Sequence, residues 1–498
     1  MLRGISCFRQ FSRRIWKTVN LEVIPFVRPF TSIGGNKDSD TIYALCSGPL
    51  TKCGVSVIRI SGANAFDAVR GMTYKNCPFP EVRKASLRTI LDSQTKEILD
   101  KGMVLCFNEG ASYTNEHVVE FHLHGSPAVV SAVLKSLSRF PHFRSADAGE
   151  FTKRAFMNGK MSFVEVEALG DLLNSETEIQ RKQAMRGVNG ELIDKCWEWR
   201  TALMHSLANA ETVIDFSDDV DDESIQLADA TKDLCKIREE MQTLLAGFDR
   251  GQLIKNGIPV TLCGPPNAGK SSLLNKLVGS NVAIVSSVPG TTRDVLKVDL
   301  NLDGYKVILQ DTAGLHSSGD EIEREGMNRA VTAAEKSLFQ MVIVDVTRDV
   351  CSDVESIFER VKQKKAIVIL NKTDLVDEKT VVAKKMLLEK CFPEVLNVIP
   401  ISCKESSQVE KVTSHLAGYV RNELELKEME NTDLITRERQ RNCLQQCILS
   451  LSNCIKESFV DLQAEELRTC LKSLARLTGE VDIEEILDIV FSDFCIGK

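Results

Sequence analysis

A chain of 498 residues suggests about three domains at roughly 150 residues each. It is long enough to bury its cores without disulfide or metal staples. With 43% hydrophobic and 27% charged residues the composition is that of an ordinary soluble protein, and no run of about 18 apolar residues is present to span a membrane. The net charge is −8, and −14 without residues 1–37; a body this acidic is not a general polyanion binder, so any nucleic-acid contact has to be local or shared with a partner.

Residues 1–37 stand apart from the rest. Arg3, Arg9, Arg13, Arg14, Lys17, Arg28 and Lys37 face a single acid, Glu22, with Ser, Thr and aromatic residues between them. This Arg-rich, acid-poor leader reads as an organelle transit segment; the plainer alternative is a disordered basic tail. Without it Lys+Arg falls from 62 to 55 and Asp+Glu from 70 to 69, and the net charge moves from −8 to −14.

From Asp38 to Asn158, short β-like runs such as "GVSVIRISG" and "HVVEFHLHG" alternate with helical stretches, which predicts a compact α+β domain. From Gly159 to Arg250 the texture is helical, with Leu169, Leu172 and Leu173 at 3–4 residue spacing. Near "GQLIKNGIPVTLCG" it switches to strands and helices in alternation, predicting an α/β module over residues 255–418. Residues 420–498 are helical again, broken at "LTGEVD". The expected architecture is multidomain: an N-terminal α+β domain, then a discontinuous helical domain interrupted by an α/β insertion. None of the 16 cysteines forms a C-x-x-C pair, and Cys443, Cys447 and Cys454 fall on one helix face as reduced core thiols. His122 and His124 share a strand face, but no further metal ligands lie near them in sequence. Arg437, Arg439 and Arg441 read as a small solvated helix face.

The α/β module carries four motifs in order. "GPPNAGKS", Gly264 to Ser271, follows the strand "IPVTLC" and opens a helix, the context a phosphate-cradling loop needs. Its glycines let backbone N–H groups of Asn267, Ala268 and Gly269 converge on phosphate oxygens at the positive end of the helix. Lys270 then reaches the β- and γ-phosphates, and Ser271, followed by Ser272, ligates Mg²⁺. "VILQDTAG" ends a strand in Asp311, placed to hold Mg²⁺ through water; Thr312 and Ala313 lead to Gly314, whose N–H senses a γ-phosphate. "AIVILNKTDL" ends another buried strand in Asn371, Lys372, Thr373 and Asp374. The Asp374 carboxylate can accept from guanine N1–H and the exocyclic amine, donors that adenine lacks. "VIPISCK" places Ser402, Cys403 and Lys404 beside the base. Each motif sits at the C-terminal end of a predicted strand, where open α/β sheets bind ligands. "SSVPGTTRDV" lies where a mobile switch belongs, with Thr292 the expected second Mg²⁺ ligand. One feature of the set is anomalous: after "DTAG" stands Leu315, which can neither donate nor accept a hydrogen bond to the attacking water.

"GPPNAGKSS", "PGTTRD", "DTAGL", "NKTDL" and the terminal "FCIGK" together resemble the MnmE family of tRNA-modification GTPases, over nearly all of the chain after residue 40. The tail is the most specific mark, and the leader points to the mitochondrial branch. The resemblance implies a P-loop, Ras-like GTPase domain, and a K⁺ ion by the β- and γ-phosphates held by Asn267, Ser286, Val288 and Thr291. It also implies a water-positioning carboxylate at Glu323, so that Glu323 and K⁺ replace the glutamine that many GTP-hydrolysing switches carry where Leu315 stands here. An amide oxygen and backbone carbonyls suit a monovalent cation, which offsets transition-state charge. The family usually carries arginine after "DTAGL"; His316 stands here.

The resemblance further implies an N-terminal tetrahydrofolate-binding-like domain that forms a constitutive homodimer. Its matching folate contacts are Arg59, Glu120, Lys160 and Lys498, a carboxylate for the aminopyrimidine and cations for carboxylates. Cys495 is either a nucleophile or a buried anchor. The implied function is a K⁺-stimulated GTPase of the mitochondrial matrix, working with an FAD-dependent partner and a 5-substituted or methylene tetrahydrofolate. Together they would add a taurinomethyl- or aminomethyl-type group at carbon 5 of wobble uridine in mitochondrial tRNA. Two other readings compete: a GTP-gated RNA-binding assembly factor of the mitochondrial ribosome, which predicts a basic or KH-like appendage that is not seen, and a folate-dependent aminomethyl-transfer module, which leaves the GTPase insertion unexplained.

Overall fold

The computed structural model describes residues 40–48, 50–215, 223–280, 282–284, 297–311, 337–360, 365–425, 433–481, 487, 490–491 and 494–498. They form two compact units, one running to residue 166 and taking in the C-terminal segment from 483, the other spanning 167–482.

The first unit is built from β1 (Thr41–Leu45), β2 (Val55–Ser61), α1 (Ala65–Met72), β3 (Ser86–Leu91), β4 (Ile98–Phe107), β5 (Val118–His124), α2 (Pro127–Leu137), β6 (Phe143–Ser145) and α3 (Glu150–Met157). Its six strands lie in the order β3-β4-β5-β2-β1-β6, antiparallel except for the β1–β6 pair. Side chains alternate between the two faces of a strand. Ile58, Ile60, Val119, Phe121 and Leu123 therefore enter the core with residues of α1 and α2. The same alternation leaves Arg59 and Glu120 directly opposite each other on the other face.

The chain's last residues return to this unit. Ile496 bridges Ala148, and Gly149 N–H donates to the Cys495 carbonyl at 3.5 Å. Gly497, at φ 99°, lies so close to the end of β1 that a Cβ would sit 2.5 Å from the Leu45 carbonyl oxygen. Cys46 Sγ donates to the Gly497 carbonyl at 3.0 Å. Gly497→Val is therefore expected to expel the tail without melting the sheet. Carboxypeptidase should release Lys498 from the variant at least about tenfold faster, because local opening sets the rate. Unchanged protection of Lys498 would refute this docking.

α4 (Phe163–Leu173) begins at the end of the first unit and runs into the second, where α5 (Glu178–Val188), α6 (Glu191–Asp215), α7 (Glu223–Ala246) and α8 (Phe248–Asn256) follow. The α/β module follows: β7 (Ile258–Cys263), α9 (Lys270–Val278), β8 (Lys297–Leu302), β9 (Tyr305–Asp311), β10 (Phe339–Asp345), α10 (Val350–Arg360), β11 (Ala366–Asn371), a 3₁₀ turn (Thr373–Leu375), α11 (Glu378–Cys391), β12 (Val395–Pro400) and α12 (Ser406–Glu425). The unit closes with α13 (Glu438–Lys456) and α14 (Val460–Thr478). Strand order is β12-β11-β10-β7-β9-β8, parallel except for the β8–β9 hairpin. Every residue of β10 and β11 is buried, as expected of central parallel strands covered on both faces.

Helices from both sides of the α/β module pack together. α13 pairs with α14, which packs on α6, and α13 also contacts α7. Leu444, Cys447, Leu451 and Cys454 are buried on α13, as are Leu467, Cys470 and Leu474 on α14. The cysteines among the described residues are free thiols, and burial pushes Cys196 up to about 12. Arg437 and Arg439 differ from expectation. They are not a solvated face: Arg439 pairs with the buried Glu167 at 2.9 Å, and Arg437 with Asp171 at 2.8 Å. Gln440 adds a third donor to Glu167 at 2.8 Å, since a buried carboxylate has to be paired. Of the three, only Arg441 lies outside this network, with its guanidinium over Phe248 and a pair to Glu438.

Candidate nucleotide site and a second cluster near the C-terminal tail

β7 ends in Cys263, and the chain turns sharply at Gly264, where a Cβ would lie 2.3 Å from the Ile343 carbonyl oxygen. Gly269, at φ 107°, is the N-cap of α9, and a Cβ there would lie 2.1 Å from Asn371 Nδ2. The loop therefore needs glycine at both positions. Lys270 folds its ammonium back onto the carbonyls of Gly264 (2.7 Å) and Pro265 (3.1 Å), inside the loop that cradles phosphate. Asn371 ties the base-side loop to this cradle. Its Nδ2 donates to the Ala268 carbonyl at 2.7 Å, and its Oδ1 accepts from Cys403 N–H at 3.2 Å.

Asp374 is oriented from two sides: Ser402 Oγ lies 2.8 Å from Oδ1 and Lys404 Nζ 2.5 Å from Oδ2. These hydrogen bonds, Lys404's foremost, hold the carboxyl below the usual aspartate range, so it is an acceptor at neutral pH. The cleft has a volume of about 460 Å³ and is lined by Asn267, Gly269, Lys270, Ser271, Ser272, Asn371, Lys372, Asp374, Leu375, Ser402, Cys403 and Lys404. Ala268 sits beneath it, buried. Asp311 ends β9 in register with Leu262 of β7, next to the strand that feeds the loop.

Asp345 stands in none of the sequence motifs. It ends β10 in register with Asn371, is buried, and takes Lys372 Nζ at 2.7 Å. Burial works against its ionised form, but Lys372 and Thr347 outweigh it and lower its pKa. The pair pins the lysine of "NKTD", whose backbone is in the left-handed region at φ 64°. An acid closing the buried run "MVIVD" was the available signal.

Arg59, Glu120 and the tail make a second cluster, in the first unit. Arg59 Nε donates to Glu120 Oε1 at 3.0 Å, and the guanidinium lies over the Tyr113 ring (5.0 Å) and the Phe151 ring (5.7 Å). Arg59 Nη1 is buried with no hydrogen-bond partner among the described residues, which suits a site awaiting an acceptor. His122 Nε2 lies 3.4 Å from the other Glu120 oxygen. Cys46 sits among Arg59, Glu120 and Lys498; burial raises its pKa against the pull of the two cations. Lys160 Nζ lies 3.4 Å from the Gly110 carbonyl and, among the described residues, makes no hydrogen bond or ion pair with Arg59, Glu120 or Lys498. Cys495 is exposed, so its thiol is not a buried anchor; its carbonyl does the anchoring, through Gly149. His124 pairs with Asp100 at 2.7 Å, and no metal-ligand cluster of three or more such side chains occurs among the described residues.

Two family models match the chain. One described as "GTP-binding protein TrmE N-terminus" matches residues 41–160, and one described as "MnmE helical domain" matches residues 163–495, reaching across the α/β module. The chain belongs to the MnmE family. "5-taurinomethyluridine-[tRNA] synthase subunit GTPB3, mitochondrial" of Danio rerio is 41% identical over 475 residues, covering 92% of this chain and 93% of its own. The human protein of the same name is 38% identical over 472 residues, with the same two shares. "tRNA modification GTPase MnmE" of Paramagnetospirillum magneticum is 39% identical over 463 residues, covering 92% of this chain and all of its own. This MnmE chain is thus a GTPase and a mitochondrial family member. Of the residues expected at an MnmE nucleotide site, Ser286, Val288, Thr291, Thr292, Thr312, Ala313, Gly314 and Glu323 lie outside the described residues, with Leu315 and His316. Ser271 and Asn267, expected from the sequence as ligands for Mg²⁺ and K⁺ respectively, do line the cleft.

Proposed function

We propose that this MnmE chain hydrolyses GTP to drive carbon-5 modification of wobble uridine in mitochondrial tRNAs, in the matrix; the zebrafish and human relatives are named as mitochondrial 5-taurinomethyluridine-[tRNA] synthase subunits. One observation carries the reading. The Asp374 carboxylate shares a single cleft with the phosphate-cradling residues Gly269, Lys270 and Ser271. Asp374 accepts from guanine N1–H and the exocyclic amine, while Lys270 and the loop amides hold the β- and γ-phosphates. Ser271 and Thr292 are the Mg²⁺ ligands, with Asp311 acting through water. Asn267, Ser286, Val288 and Thr291 are the K⁺ set. Bound cations neutralise charge that builds on the phosphoryl oxygens. Glu323 orients the attacking water that Leu315 cannot hold.

The Arg59–Glu120 pair and Lys498, with Lys160, take a 5-substituted or methylene tetrahydrofolate. The orphaned Arg59 Nη1 supports a ligand carboxylate or carbonyl there. The chain acts as a homodimer through its N-terminal domain and works with an FAD-dependent partner. Leu87, Met103 and Val55 support the dimer: they are 58%, 46% and 57% exposed on the open face of the first sheet, a face that a second copy can cover.

Mass spectrometry of mitochondrial tRNA from cells carrying Glu323→Ala tests the assignment. Unmodified wobble uridine with intact ribosomes is the expected result. Normally modified uridine with stalled ribosome assembly would overturn it. In purified protein, GTP turnover should be at least about tenfold faster in KCl than in NaCl, the scale of one lost charge-stabilising contact. Equal rates would remove the K⁺ set.

A further inference from the structure

Between the last turn of α1 and the start of β3 the charge of the chain reverses locally. Residues 70–88 carry Arg70, Lys75, Arg83, Lys84 and Arg88 against one acid, Glu81, in a chain whose net charge is −8. An acidic body has to confine any contact with a polyanion to such a stretch. The same stretch holds two aromatic side chains in the open. Every residue from Tyr74 to Phe79 is exposed, Tyr74 to 49% and Phe79 to 41%.

This segment is neither helix nor strand, yet it is fixed. Pro78 and Pro80 restrict the backbone on either side of Phe79, and Pro80 is buried. Arg88 Nη2 donates to the Pro78 carbonyl at 3.0 Å. Cys77 N–H donates to the Tyr74 carbonyl at 3.1 Å, and Arg83 N–H to the Cys106 carbonyl of β4 at 2.8 Å. Arg88 therefore holds the loop, and the other four cations stay at the surface. Arg70 pairs with Asp67 at 2.7 Å and Lys84 with Glu81 at 3.0 Å, both partners being exposed in each case; water and salt readily replace such pairs. Lys75 and Arg83 are exposed and make no side-chain hydrogen bond or ion pair among the described residues.

The rings form a stack that ends at the surface. His117 lies against Phe66 of α1 with centroids 4.6 Å apart, and Phe66 against Phe79 at 5.3 Å. The Arg70 guanidinium lies over Phe79 at 5.6 Å. The stack builds on α1, which covers the core face of the sheet, so it is a different face from the open one proposed for the dimer. Flat π faces beside unneutralised cations suit unpaired nucleotides, whose bases stack on aromatic rings and guanidinium planes while their phosphates take the charges. A protein partner fits less well, because the centre of a protein interface is depleted of lysine.

We propose that the α1–β3 segment is an RNA-docking platform for unpaired nucleotides, in which Tyr74 and the Arg70–Phe79 pair stack on bases while Lys75, Arg83 and Lys84 hold phosphates. The proposal rests on the tRNA reading above and gives it a docking surface on this chain, a wobble uridine being a nucleotide of an unpaired loop. The loop's anchors at Pro78, Cys77 and Arg83 present the rings without an ordering cost at binding.

Fluorescence anisotropy of the full-length protein with a labelled RNA stem–loop, and with a blunt RNA duplex of the same length, tests it. Wild type should bind the stem–loop at least about tenfold more tightly than the duplex, whose bases are already stacked on one another. Tyr74→Ala and Phe79→Leu should each weaken the stem–loop by about tenfold and leave the duplex within about twofold. Leucine still covers Phe66, so that loss reports stacking rather than folding. Tyr74→Phe should keep wild-type affinity. Lys75→Gln combined with Arg83→Gln should weaken both RNAs and flatten the slope of log affinity against log salt for the stem–loop by about 1.4, at about 0.7 for each lost phosphate contact. GTP turnover should be unchanged throughout, since none of these residues lines the nucleotide cleft. Absent binding by wild type, equal affinity for the two RNAs, or stem–loop binding that survives both Tyr74→Ala and Phe79→Leu would overturn the platform. So would loss of the dimer in those variants with RNA affinity intact, which would make the patch a protein interface. RNA binding that depends on these residues, together with normally modified wobble uridine in the Glu323→Ala cells, would instead leave the platform standing and overturn the tRNA-modification reading.

Discussion

Asp374→Asn is expected to weaken GTP binding by about two to three orders of magnitude and to raise affinity for xanthosine triphosphate. The carboxylate accepts two hydrogen bonds from guanine, and each bond to a charged group is worth about 1.5–3 kcal/mol. Losing most of that pair costs about 3–4 kcal/mol, and 1.4 kcal/mol is tenfold in an equilibrium constant. Xanthine carries an oxygen where guanine carries the amine. An asparagine amide can donate to that oxygen while its own oxygen still accepts from N1–H. Of the two donors that orient the carboxylate, Ser402 on one oxygen and Lys404 on the other, one can still bond the remaining amide oxygen, so the new side chain keeps part of that orientation. Competition binding with a fluorescent GDP and unlabelled xanthosine nucleotides measures both halves. A variant that loses guanine affinity without gaining xanthine would show that Asp374 shapes the loop and does not read the base.

Lys270→Met is the second large effect. The ammonium lies within 3.1 Å of two loop carbonyls, Gly264 and Pro265, at the mouth of the phosphate cradle. Methionine keeps the length and removes the charge. Single-turnover hydrolysis at saturating GTP should fall by about two to three orders of magnitude, the scale for deleting one preorganised charge-stabilising donor. GDP affinity should fall less, because most of the cation's benefit is realised as charge builds on the transferring phosphoryl group. Retained hydrolysis with reduced affinity would make Lys270 a binding residue only.

Much of the nucleotide cleft could be read before any coordinates. The reason is local: glycine at 264 and 269, lysine at 270, asparagine at 371 and aspartate at 374 follow strands whose unbroken apolar runs mark them as central and parallel. Such strands deliver their C-terminal loops to one edge of the sheet. Asp345 was missed although it closes an equally apolar strand, because no fixed-spacing motif surrounds it. Arg437 and Arg439 were misread for a different cause. Their carboxylate partners, Glu167 and Asp171, lie more than 260 residues away in the chain, and helical spacing alone cannot tell a solvated cation from one buried against a distant acid.

The sequence by itself determined which chemistry this MnmE chain can hold: glycines suited to cradling phosphate, an aspartate proposed to read the base and a tail ending in lysine are properties of residue type and spacing. Tertiary structure decided what those groups touch. It set Arg59 across from Glu120, brought Gly497 onto Leu45, and gave Asp374 to Lys404 and Ser402. Each of these depends on long-range register and close approach between segments far apart in the chain, and such contacts are fixed by packing the whole unit rather than by any local pattern.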